Sequence, residues 1–191
     1  MKNSTLKLTV SALLISLGII IPIFSPVKII IEPASYTLAS HVVIFIAMFI
    51  SPAVAATVAV GTTLGFFIGG FPIVIVFRAA THVIWATLGA LYLQKMKSTA
   101  DSAVALRVYS FFVALTHSLC EIVIVTAFYF GGMMGASYYQ HGFVVTILGL
   151  VGLGTVIHSM VDFEIANLIR YPLRNQLKML SSGKSGEIKS Q

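Results

Sequence analysis

A chain of 191 residues that is 58% hydrophobic and only 9% charged is not built like a soluble domain, where about a quarter of residues carry charge. The formal net charge of +6 does not point to nucleic acid, because the basic residues are scattered between apolar runs and form no single patch. One cysteine, Cys120, inside an apolar run, excludes a disulfide framework and a cysteine-based metal site.

Lipid is therefore the expected solvent, and a span needs about 20 mostly apolar residues. Six candidates follow in chain order: residues 6–24, 38–50, 53–70, 73–94, 104–130 and 143–169. The first follows Lys2 and Lys7 and looks like a signal peptide. No A-x-A-like cleavage site comes after it and further apolar runs do, so it is expected to be retained. The second is short for a crossing, unless it begins earlier, within 29–37. Ser51-Pro52 reads as a tight helix-to-helix turn with proline opening the next helix. Gly69-Gly70-Phe71-Pro72 marks the following break. The expected fold is an all-α integral membrane protein, one domain over 1–191 with six transmembrane helices and a polar tail from about residue 181.

Orientation follows from charge. With both termini cytoplasmic, Lys2, Lys7, Lys95, Lys97, Arg107, Arg170, Arg174, Lys178, Lys184 and Lys189 all lie at the inner side, while only Lys28 lies outside. The outer connections, 25–37 and 131–142, carry Glu32, Pro33, Tyr36, Tyr138, Tyr139, Gln140 and His141. Longer aromatic loops on one side suit a lid over a site, and interfacial anchoring accounts equally well for Tyr138 and Tyr139.

The polar residues inside the spans carry the functional signal. Arg78 and His82, His117 and Glu121, and His158 and Asp162 are pairs four residues apart, so each pair shares a helical face. Trp85 lies on the face of Arg78 and His82. At about 1.5 Å of rise per residue the three histidines fall near mid-depth, giving one polar layer across three helices. Ionisable groups at such depth are costly and default to functional sites. Simpler readings stand beside this: a structural Arg78–Glu121 ion pair, histidines that tie helices together, Trp85 as plain packing, and a salt bridge near the inner interface joining Asp162 or Glu164 to Arg170.

There is no Walker A sequence and no G-x-S-x-G, so nothing points to an enzyme or to nucleotide hydrolysis by this chain. A site without an engine suggests a binding subunit that works with energised partners. In the first span, Ala12-x-x-x-Ser16 is a small-x-x-x-small pattern that lets helices approach closely, either a partner's or its own neighbours.

The size, the six-span layout, the Ala12-x-x-x-Ser16 helix and the outer loop after it resemble the substrate-binding S components of energy-coupling factor (ECF) vitamin transporters. The run SHVVIFIAMFISPAVAATVAVGTTLGFFIGGFPIVIVFRAATHVIWATLGALYL, residues 40–93, looks most like the niacin-specific members. The usual small motif has alanine at both ends, and Ser16 departs from it. The resemblance implies a cell-membrane protein that captures a vitamin from outside and docks through Ala12 and Ser16 on a transmembrane coupling subunit. Two ATPase subunits would consume the ATP, and this chain would carry no cofactor or metal of its own.

For nicotinate, Arg78 would clamp the carboxylate, Trp85 and Tyr139 would flank the ring, and His82, His117, Glu121 or His158 would complete the polar lining. Residue chemistry alone supports a small anionic or zwitterionic aromatic solute; niacin comes from the resemblance. Three other readings remain at this stage. They are an S component for another water-soluble vitamin, a divalent-metal uptake protein using His82, His117 and His158, with His141, Met133 and Met134 near its mouth, and a structural membrane protein.

Overall fold

A computed structural model describes residues 2–31 and 34–182. Glu32 and Pro33, and the tail beyond Ser182 with Lys184 and Lys189, lie outside the described residues. Six α-helices form the body: α1 (Lys2–Phe24), α2 (Val42–Met48), α3 (Pro52–Ile68), α4 (Ile73–Lys95), α5 (Ala103–Phe130) and α6 (Gly154–Ser182). A π-helical run, Val144–Leu153, leads into α6. The all-α class holds with one addition, an antiparallel hairpin of β1 (Lys28–Ile31) and β2 (Ala34–Thr37), in which Lys28 pairs with Thr37 and Ile29 with Tyr36.

Local sequence explains the boundaries. Ser51 caps α3 by accepting the Val54 N–H at 3.2 Å, with Pro52 in the first turn, where its missing N–H costs nothing. Ser102 caps α5 in the same way, accepting from Ala105 at 3.3 Å. Between α3 and α4, Gly70 takes φ +73°, a conformation open to glycine, and Pro72 then precedes α4.

The molecule is inverted relative to a soluble protein. Leu64, Ile68, Phe112, Val123 and Leu168 are exposed, while Arg78, His117, Glu121, Ser159 and Asp162 are buried. Helices α1, α4, α5 and the continuous helix Val144–Ser182 are long and apolar enough to cross a membrane; α3, at 17 residues, is apolar but shorter.

The expected second span is the main correction. Residues 29–37 belong to the hairpin, and α2 has only seven residues, about 10 Å of helix. That is too short to cross a bilayer. The reason is burial: Val42, Val43, Ile44, Phe45, Ala47 and Met48 are all enclosed by neighbouring elements. Backbone that never meets lipid need not be helical throughout, because protein groups satisfy its N–H and C=O. The segment starts beside a cavity that Lys28 and Thr37 line and ends at Ser51, near Lys97, Arg170 and Lys178.

Helix α3 packs along α4, α4 against α5, α5 against α6, and α1 against α3. The α1–α3 approach is close enough that a Cβ added at Gly65 would stand 2.3 Å from the Ile19 side chain. Ser11, Leu14, Gly18 and Pro22 therefore face inward on α1, while Ala12 and Ser16 are exposed on the opposite side.

Candidate functional site

The polar pairs converge. Glu121 on α5 is 3% exposed and accepts from Arg78 Nη2 on α4 at 2.9 Å and from Thr155 Oγ1 on α6 at 2.7 Å, both at Oε2. Its Oε1 lies 3.4 Å from His117 Nε2 and 3.9 Å from His82 Nε2. One carboxylate thus ties three helices together at the level of two imidazoles.

A second carboxylate, Asp162 on α6, organises the entry to α2. Its Oδ1 accepts the Ala39 N–H at 2.8 Å, and its Oδ2 accepts the His41 N–H at 2.9 Å and lies 3.1 Å from His41 Nδ1. His158 Nε2 is 3.4 Å from the same oxygen. Ala39 takes φ +68°, a left-handed conformation that costs an alanine roughly 1–2 kcal/mol. The bonds to Asp162 hold it there, and the resulting turn swings His41 into the centre of the bundle. The His41 ring then lies 4.9 Å from that of His82, 4.8 Å from His117 and 5.0 Å from His158, centroid to centroid.

These groups line a cavity of about 90 Å³, well below the ~300–1,000 Å³ of drug-sized pockets and scaled to one small ring. Lys28, His41, Arg78, His82, His117, Glu121 and His158 supply its polar wall. Ile44, Phe66, Phe71 and Ile75 supply the apolar one. Three nitrogens of residues that line the cavity, Arg78 Nε, His82 Nε2 and His117 Nε2, are buried and make no hydrogen bond among the described residues.

Of the residues expected from the sequence, Arg78, His82, His117, Glu121 and His158 meet here. Trp85 is close but lies behind the wall, 1% exposed, its ring 4.7 Å from His117 and 5.5 Å from His82. Tyr139 does not reach the cavity. Its hydroxyl donates to the Tyr129 carbonyl at 3.1 Å and its ring packs on Tyr129 at 4.7 Å, because its short 3₁₀ turn, Ala136–Tyr139, folds against the end of α5. The tyrosine beside the cluster is instead Tyr36 of β2, which does not line the cavity but whose ring sits 5.3 Å from His158 and whose hydroxyl donates to the Leu150 carbonyl. Burial pushes the Tyr36 phenol up to about 12, so it remains a donor at physiological pH.

The expected bridge to Arg170 does not form. Asp162 lies eight residues, about 12 Å of helix, from Arg170 and serves His41 instead. Glu164 pairs with Arg107 at 3.5 Å, and Arg170 donates to Asn167 Oδ1 at 2.9 Å and sits over the Phe49 ring. His41, Lys28 and Thr155 were missed by sequence reasoning. The one signal for His41 is the polar pair Ser40-His41 opening an otherwise apolar run.

The niacin transporter NiaX of Lactococcus lactis subsp. cremoris (strain MG1363) is 40% identical to this chain over 165 residues, covering 86% of the chain and 73% of that protein. The chain belongs to the niacin transporter family. The resemblance read from the sequence is thereby borne out. No family model matches the chain, and no solved structure matches it. Within the niacin transporter family, the buried cluster just described is the feature of this chain that asks for a ligand. It combines an Arg–Glu pair, whose guanidinium Nε makes no hydrogen bond among the described residues, with the imidazoles of His41, His82, His117 and His158.

Proposed function

We propose that this chain is the substrate-capture subunit of an ECF-type importer and that it binds niacin as nicotinate in the cavity between α2, α4, α5 and α6. The observation that carries the reading is Arg78. It is 8% exposed, held by Glu121 through Nη2, and its Nε–H is buried without an acceptor. A ligand carboxylate would complete it, since a guanidinium binds carboxylates with charge-assisted hydrogen bonds. Glu121 positions Arg78 and Arg78 takes the ligand, so ion pair and clamp are one device. An imidazole nitrogen from His82 or His117 would meet the pyridine nitrogen, and Phe66 and Phe71 would border the ring.

The chain makes six passages with both termini cytoplasmic, the second passage being the hairpin exit plus the buried α2. The cavity, bordered by Lys28 and Thr37, then opens to the outside, while Lys95, Lys97, Arg170, Arg174 and Lys178 lie at the inner end in the cell membrane. The exposed Ala12–Ser16 face of α1 docks on a transmembrane coupling subunit, and two ATPase subunits hydrolyse the ATP. The test is thermal protection of purified protein: nicotinate raises the melting temperature, nicotinamide raises it less, and an unrelated vitamin leaves it unchanged. Equal protection by nicotinamide would remove the carboxylate clamp.

A further inference from the structure

We propose that His41, His82 and His117 form a binding site for one divalent transition-metal ion of the zinc or cobalt type at the floor of the cavity. One ring nitrogen from each lies within 4.8 Å of the other two. A tetrahedral ion bound to imidazoles at ~2.0–2.1 Å holds its nitrogens about 3.3 Å apart, so modest side-chain adjustment closes the triad.

Proximity alone would be weak. What makes this trio a ligand set is the state of the nitrogens. His41 Nδ1 is engaged by Asp162 at 3.1 Å and His117 Nδ1 by Ser159 Oγ at 3.3 Å. Each of these contacts fixes a ring through Nδ1 and leaves Nε2 for another partner; for His41 the contact is with a carboxylate, for His117 with a hydroxyl, both outer-shell contacts of the kind that orient imidazoles toward metals. His117 Nε2 and His82 Nε2 are buried and make no hydrogen bond among the described residues, with Glu121 Oε1 facing them at 3.4 and 3.9 Å, a cost that an ion between them would relieve. Three polar rings share one buried locus, each turned roughly edge-on to the others, where plain packing would more economically use apolar side chains.

Charge is compatible as well. With the imidazoles neutral, as ligands must be, Arg78 and Lys28 balance Glu121 and Asp162 around the site (+2 −2), so no net positive charge repels a dication. Imidazole donors favour zinc, cobalt, nickel or copper over magnesium or calcium. Three protein ligands leave a coordination position open, and the cavity lies where a small molecule or water would take it. With an ion bound, the His82 and His117 nitrogens are its ligands and a pyridine nitrogen would meet the ion's open position instead of an imidazole, so the inference does not depend on niacin being the substrate.

Tag-free purified protein, stripped with a chelator, is titrated with Co²⁺ and followed by visible absorption and by calorimetry. One saturable equivalent, with the strong absorption of a low-coordinate cobalt–imidazole centre and displacement by Zn²⁺, is expected. His117→Ala should weaken binding by roughly a hundredfold or more, beyond the ~10–100-fold typical of losing an outer-shell partner. His82→Gln provides the same test if His117→Ala does not fold, as judged by gel filtration and melting. His141→Ala, in the exposed outer loop, should keep the cobalt spectrum. Absence of a saturable equivalent in the wild type, or a spectrum unchanged in folded His117→Ala or His82→Gln, would overturn the site, whatever nicotinate does in the same preparations.

Discussion

Arg78 is held by a partner that would itself be stranded if Arg78 were removed, which makes its substitutions informative in pairs. Arg78→Lys keeps the charge and loses the planar fork, so nicotinate affinity should fall by roughly ten- to more than a hundredfold, the equivalent of about 1.5–3 kcal/mol for one charge-assisted bond. Nicotinamide should be affected less. Arg78→Ala leaves Glu121 buried without its guanidinium and should also lower the melting temperature, while Arg78→Ala with Glu121→Ala should recover stability but not nicotinate affinity. Calorimetric binding of both ligands to the single and double variants decides the matter; recovery of affinity in the double variant would reduce the pair to a structural one. At this scale the sequence was most informative where a regular helix carries the residue. Spacing of four placed His117 with Glu121 and Arg78 with His82, and the helices hold those faces together. His41 was not legible, because its position depends on the left-handed turn at Ala39 and on Asp162, 121 residues away in sequence.

Among the elements, the helix breaks were legible at Ser51-Pro52 and Gly69–Pro72 because capping and proline chemistry act locally. Helix α2 was not. Hydropathy registers an apolar stretch but not whether lipid or protein surrounds it, and α2, enclosed by its neighbours, is apolar without being a full-length span. Helix α1 divides its faces in a way that separates packing from docking. Ala12→Leu or Ser16→Leu, on the exposed face, should leave the melting temperature and nicotinate binding near wild type while lowering uptake in cells that contain the energising subunits. Gly65→Leu on α3 should instead lower the melting temperature, by overpacking worth about 1–3 kcal/mol against Ile19. If the α1 variants bind nicotinate as poorly as they transport it, that face belongs to the fold and not to a partner.

For the molecule as a whole, composition fixed the solvent and charge distribution fixed the expected sidedness, since both are sums over the chain that do not need coordinates. The structure adds that the two ends differ in kind. Lys28 borders the polar cavity at one end, and Lys178, paired with Asp101 at 3.0 Å, lies with Lys97, Arg170 and Arg174 at the other. Which tyrosine approaches the imidazole cluster was beyond the sequence, because the hairpin that carries Tyr36 is placed by contacts with Leu150 and His158, more than a hundred residues away. A nicotinate cavity that opens outward, as proposed, requires sided binding. Binding of labelled nicotinate to right-side-out and inside-out membrane vesicles containing this chain, without ATPase subunits, tests it most directly. Saturable binding to right-side-out vesicles, displaced by nicotinate far better than by nicotinamide and much reduced by Arg78→Lys, is the expected result. Saturable binding confined to inside-out vesicles, or none in either, would contradict it.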